Sequence, residues 1–317
     1  MNRQTFRTWA LLALSLFVIL AVSLPANAQS ERGTNQGRPG SLNYVEGRVL
    51  IGKDVVDPKS VGSLEMEEGQ SIATEKGKAE VLLTPGAFLR LGDNTSVKMI
   101  SPGLTNTEVQ VEKGRALIEV AEIHRENNLR VDLNGVTTEI TKKGLYVFDA
   151  DSNQLRVFDG KALVQRDSKQ VEVKDGHAFI LNAPLLKAEK FDEKSNRDDL
   201  YNWSSLRSKY LAEANTDAAR TYVGGGLGWW GTGWYWDPWF GAYTFIPGSG
   251  FIYSPFGWGF YSPALVYRSP FIYYGGFPHR YYGGYWVRGY RGFRGPAFSR
   301  GGGFVRGGGF HGGGFRR

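Results

Sequence analysis

The sequence predicts a mainly β protein: an antiparallel sandwich or roll of short strands, one C-terminal amphipathic helix, and then a low-complexity, disordered tail. Three observations predict it. Residues 42–188 alternate apolar and polar side chains over short runs, as half-buried strands do. Those runs are separated by Asn134-Gly135, Asp159-Gly160 and Asp175-Gly176, pairs that suit tight hairpin turns. From Thr221 the composition shifts abruptly to Gly, aromatic residues and Arg.

Residues 1–28 read as a secretory signal peptide. Arg3 and Arg7 precede an uncharged apolar run, and Ala26 and Ala28 form a small-residue site for cleavage before Gln29. A retained anchor helix is the other reading, because the run is near the lower length limit for spanning a bilayer. Either way the chain is expected to be exported. It has no cysteine, which excludes disulfides, thiol chemistry and Cys-ligated metals. Residues 29–41 are polar and rich in Gly and Arg, and read as a flexible lead-in.

Within 42–188 the strands can be placed individually. Val109 and Val111 share one face of 107–112, with Glu108, Gln110 and Glu112 opposite. Leu129, Val131 and Leu133 repeat the pattern. Further on, strands are expected at 154–158, 161–165, 169–174 and 177–181, within a total of about ten to twelve. A helix is expected over 195–222, with Leu200, Trp203, Leu206, Tyr210, Leu211 and Ala214 as its apolar stripe and Ser195 near its cap.

Residues 223–317 are expected to be the low-complexity tail. From Thr221 onward there are nine Arg, no Lys and one acid, Asp237, so this end carries about +8 while residues 29–220 carry about −3. Three readings of the tail compete. It could attach to the cell envelope, with Trp229, Trp230, Trp234, Trp236, Trp239 and Trp258 at a bilayer interface or on glycan rings. Arg288, Arg291, Arg294, Arg300 and Arg306 would then meet lipid or polymer anions. It could bind extracellular nucleic acid, since Arg300-Gly-Gly-Gly-Phe304 and its near-repeats resemble strand-coating segments; export disfavours this. Or it could associate with itself through Arg–aromatic contacts.

No catalytic motif is legible. His124, His177, His279 and His311 lack metal-ligand spacing, and the acid pairs Asp149/Asp151 and Asp198/Asp199 read as a solvated turn and a helix start. No cofactor, metal or small-molecule substrate is expected, and the chain is not expected to be an enzyme.

The β segment resembles the periplasmic domain of the FecR family, regulators known from iron-dicitrate signalling. The resemblance begins at Gly47, Arg48, Val49 and Leu50 and continues through Gly69, Ile72, Thr74, Ala79, Val81 and Leu83. It runs on through Pro85-Gly86, Leu89, Leu91, Gly92, Asp93, Asn94, Ser96 and Val97, and through 111–120, 155–164 and 173–177. It implies a FecR-like β domain in the periplasm or envelope of a Gram-negative-type bacterium, and a role in envelope signalling. Only about eight residues precede the apolar run, so the family's cytoplasmic anti-sigma region is not expected to carry over. The expectation is therefore a non-enzymatic exported scaffold whose tail contacts membrane lipid or glycan, with FecR-type signalling as the alternative.

Overall fold

The structure is a computed structural model that describes residues 36–166, 168–224 and 231–268. The chain divides into two units, Met1–Arg280 and Tyr281–Arg317, and every described residue lies in the first. The first half contains β1 (Gln36–Gly37), β2 (Leu42–Ile51), β3 (Asp54–Val55), β4 (Ser71–Leu82), β5 (Ala87–Leu91), β6 (Ser96–Gly103), β7 (Asn106–Lys113) and β8 (Arg115–Val120). Then come β9 (Leu129–Leu133), β10 (Val136–Ile140), β11 (Gly144–Asp149), β12 (Gln154–Asp159), β13 (Lys161–Arg166), β14 (Lys169–Lys174), β15 (His177–Ile180) and β16 (Glu189–Lys190). Helix α1 (Asp199–Gly224) is followed by β17 (Gly233–Asp237), β18 (Ala242–Ile246), β19 (Phe251–Tyr253), β20 (Gly259–Tyr261) and α2 (Pro263–Arg268).

Strands β2 to β16 form one continuous sheet that folds over at β4. The first residues of β4 pair with β6, through Ile72↔Val97, and its last with β5, through Val81↔Leu89. Between these two stretches the only strand paired with β4 is β2, and there the chains approach closely: a side chain at Gly77 would lie 2.2 Å from the Glu46 carbonyl oxygen. One wall of the resulting sandwich runs β14-β13-β10-β9-β7-β6, and the other β5-β8-β11-β12-β15-β16. Pairing is antiparallel throughout except between β7 and β9, which run parallel. The core between the walls takes Val97, Val109, Val131 and Val164 from one and Leu89, Ile118, Phe148 and Val157 from the other.

The turn chemistry agrees with the sequence. Asn134 and Gly135 have φ of 53° and 79°, the two positive values that a two-residue hairpin of this kind needs. The four strands expected between 154 and 181 are β12 to β15, each within one residue of its expected end. Asp149 and Asp151 cap turns, accepting from the amides of Ser152 and Gly114. The carboxylate of Asp198 accepts from the Tyr201 amide, so Asp198 rather than Ser195 caps α1.

Two expectations are corrected at the ends of the sandwich. The flexible lead-in was expected to reach 41, but β1 pairs with β17, and Pro39, Gly40 and Ser41 are buried. The low-complexity tail was expected from 223, yet 231–268 forms two hairpins and a short helix. Alternating aromatic residues explain this: Trp234, Phe245 and Phe260 are buried together against Leu82 and Phe88 on the outer face of the second wall. Residues 269–317, and the segment 225–230, lie outside the described residues.

Candidate functional site

Helix α1 and residues 231–268 cover the outer face of the second wall, so β5 and β8 have almost no exposed residue. On a strand, alternate residues point to opposite faces. Glu80, Arg90 and Glu119 therefore point away from the sandwich core, on neighbouring strands β4, β5 and β8. Each is fully buried under the cover. Burying three charges is costly unless each is paired.

The pairing is nearly complete and partly supplied by the helix. Arg90 donates from Nε to Glu80 at 2.7 Å and from Nη1 to Glu119 at 2.5 Å. Arg207 of α1 donates from Nε to the other Glu80 oxygen at 3.0 Å and from Nη2 to the Asn43 carbonyl at 3.0 Å. Ser208 donates to Glu119 at 2.6 Å, and Asn43 donates to Glu80 at 2.8 Å. Two carboxylates and two guanidiniums make the cluster neutral. Arg207 is further held between the rings of Tyr44 and Tyr210, 4.7 and 5.0 Å from their centroids. One donor, Nη2 of Arg90, has no hydrogen-bond partner.

The two carboxyls are not equivalent. For Glu80, burial pushes the pKa up, but the guanidiniums of Arg207 and Arg90 outweigh it and hold the group below the usual carboxylate range. Glu119 faces only one guanidinium, and burial there pushes its pKa above the usual range. Two asparagines complete the attachment by imitating backbone. Asn43 accepts from the Tyr243 amide and donates to its carbonyl, at 2.7 and 3.0 Å. Asn215 does the same to Tyr261, at 2.8 and 3.0 Å, and also reaches the Phe245 carbonyl. Charge, amides and aromatic packing thus clamp the C-terminal segment to the sandwich. All four charged side chains are buried, and between them they fasten α1 to the sheet.

The partner-binding residues expected from the sequence are dispersed. Trp234 is in the core, with its indole N–H donating to the Leu83 carbonyl at 3.2 Å. Trp236 and Trp258 are half-buried, and Trp239 alone of these is open, at 86% exposure. Trp229, Trp230, Arg288, Arg291, Arg294, Arg300 and Arg306 lie outside the described residues, as do Ala26, Ala28 and Gln29. Asp237, the only acid after 220, is buried, and its Oδ1 accepts from the Trp239 and Phe240 amides. Among the described residues no cluster of His, Asp or Glu could hold a metal ion, and no helix is long and apolar enough to cross a membrane.

The charged cluster was not anticipated from the sequence, in which Glu80, Arg90 and Glu119 were not singled out. The available signal was Leu82, Phe88 and Leu117 on that same side, which marks the face as covered.

Residues 70–179, from the start of β4 into β15, match the family model described as FecR protein. No curated protein matches the chain. Two solved structures of candidate anti-sigma factors from Parabacteroides distasonis are similar. The one solved at 1.65 Å is 12% identical, over 44% of this chain and 64% of that one, with a TM-score of 0.33. The one solved at 2.50 Å is 10% identical, over 56% of this chain and 99% of that one, with a TM-score of 0.34. The chain thus spans just under two thirds of the length of the first.

Proposed function

We propose that this chain is a FecR-type component of cell-envelope signalling, a non-enzymatic regulator whose β sandwich receives protein partners. The observation that carries the reading is the FecR match over 70–179, which spans both walls of the sandwich and includes Glu80, Arg90 and Glu119 of the clamp. In this reading the leader 1–28 exports the chain, and it works in the periplasm or envelope.

A second element of the reading is attachment of the C-terminal end to the envelope surface, through lipid or glycan. The charge balance supports it. The single acid after residue 220 is buried in a turn, so the nine arginines of that end face no exposed acid of their own segment.

Deleting the gene and comparing transcripts across envelope-stress conditions tests the signalling role. The expected result is a discrete, reproducible set of altered transcripts, restored by the wild-type chain. Unaltered transcripts in every condition, with loss of the chain confirmed, would remove the signalling reading and leave only attachment.

A further inference from the structure

Helix α1 runs along the β17–β18 hairpin. Near the hairpin's turn, the Tyr210 hydroxyl donates to the Phe240 carbonyl at 2.6 Å. About three helical turns later, the Tyr222 ring meets the Tyr235 ring, with centroids 4.6 Å apart. Asp217 lies between these two contacts on the helix, and Asp237 lies between them on the hairpin. The two carboxyl groups come within hydrogen-bonding distance of each other.

Asp237 is 1% exposed, and its two oxygens have unlike surroundings. Oδ1 accepts from the amides of Trp239 and Phe240. Oδ2 is buried, and no donor among the described residues reaches it. An ionised carboxylate can only accept. Two ionised groups here would set acceptor against acceptor and charge against like charge, with a buried oxygen left unsatisfied. A single proton on Oδ2 removes both faults, because it is donated to the half-buried Asp217 carboxylate.

The other neighbours do not take the place of that proton. Tyr222 of α1, which adjoins Asp237, and Tyr243 of β18 beside it are neutral phenols. Tyr210 is a third, and Glu213 close to it is a further acid, one turn before Asp217. The cations flanking this stretch of α1 are Lys209, 3.9 Å from Glu213, and Arg220. Burial pushes the Asp237 carboxyl above the usual carboxylate range; the Phe240 amide opposes this, and the Asp217 carboxyl adds to it.

We propose that Asp237 and Asp217 share one proton, and that this proton latches the β17–β18 hairpin to α1 until rising pH removes it. The hairpin places Trp234 and Phe245 over Leu82 and Phe88, so loosening it uncovers the outer face of the second wall. Asp237 is raised above its ordinary value of 3.8 in the folded chain. The latch is therefore complete below that pH and is lost as the pH climbs through the raised value. The inference depends on neither the signalling nor the attachment reading.

Hydrogen exchange of peptides covering 233–246 in the full chain reports how often the hairpin opens. Asp237→Asn keeps an acceptor for the two amides and carries a permanent N–H donor toward Asp217. Comparing wild type with this variant at each pH cancels the intrinsic pH dependence of exchange. Glu119 and Glu122, which burial also raises, titrate in both chains and cancel too. The expected result is an opening ratio, wild type over variant, that climbs by up to about tenfold per pH unit above 3.8 and levels off beyond the raised value. Asp217→Asn removes the second acid at a half-buried position, and the ratio of wild type to this variant should climb in the same way. It carries the comparison if the first variant does not fold. A ratio that stays constant from about pH 4 to about pH 9, whatever its size, overturns the proposal. So does a ratio that falls as the pH rises.

Discussion

Glu80 and Glu119 occupy one cluster under one cover, and their surroundings push them in opposite directions. Glu80 is held below its ordinary value of 4.5 in the folded chain, so it adds stability above that pH, lost as the pH falls through its lowered value. Glu119 is raised above 4.5, so ionising it takes stability away as the pH climbs from 4.5 through its raised value. Replacing Glu80 by Gln removes one anion from between two guanidiniums. The expected cost at pH 7 is about 3–5 kcal/mol, the usual penalty for stranding a buried charge. Urea denaturation at several pH values checks this, with the E80Q variant also losing part of the acid-side slope below pH 4.5. None of this was legible residue by residue. A Glu or Arg at an alternate strand position reads as solvent-facing, and only the apolar neighbours Leu82, Phe88 and Leu117 reveal a face with something on top of it.

The strands and turns were the most legible elements, because a period of two and an Asn-Gly or Asp-Gly pair are local properties. The parallel β7–β9 pairing was not, since it depends on which distant segments meet. Helix α1 was expected over 195–222 and spans Asp199–Gly224, with its buried face partly rotated: Leu200, Leu211 and Ala214 of the expected stripe are buried. Its buried stripe runs through Leu200, Ser204, Arg207, Ser208, Leu211, Asn215 and Ala219, while Leu206, at 67% exposure, and Tyr210 face outward. The polar members of that stripe answer polar groups on the sheet and hairpins, which hydrophobic periodicity cannot detect. The rotation has a measurable consequence. Leu211→Ala should cost about 2–5 kcal/mol as a fully buried leucine. Leu206→Ala should stay within about 0.5 kcal/mol. A stripe as the sequence suggested would make the two variants alike in chemical denaturation.

On the scale of the whole molecule, the compositional break at Thr221 does not coincide with the end of the fold. Composition reports what a segment is made of, and a Gly- and aromatic-rich segment folds when another surface offers its rings a place. Here the surface is the outer face of the second wall, where Trp234, Phe245 and Phe260 lie on Leu82 and Phe88. The central claim is that residues 231–268 belong to the folded body, held by aromatic packing and by Asn43 and Asn215, while the buried charges fasten α1 to the sheet.

Thermal unfolding of two chains, both starting at Gln29 and ending at 268 or at 220, tests that claim most directly. The longer chain should melt cooperatively within a few degrees of the full-length protein. The shorter one loses three large buried aromatics, each worth about 3 kcal/mol or more. Against a typical total of about 5–15 kcal/mol, that loss should lower its Tm by more than about 10 °C or abolish cooperative melting. Equal melting of the two chains would contradict the claim, and would return residues 231–268 to the tail.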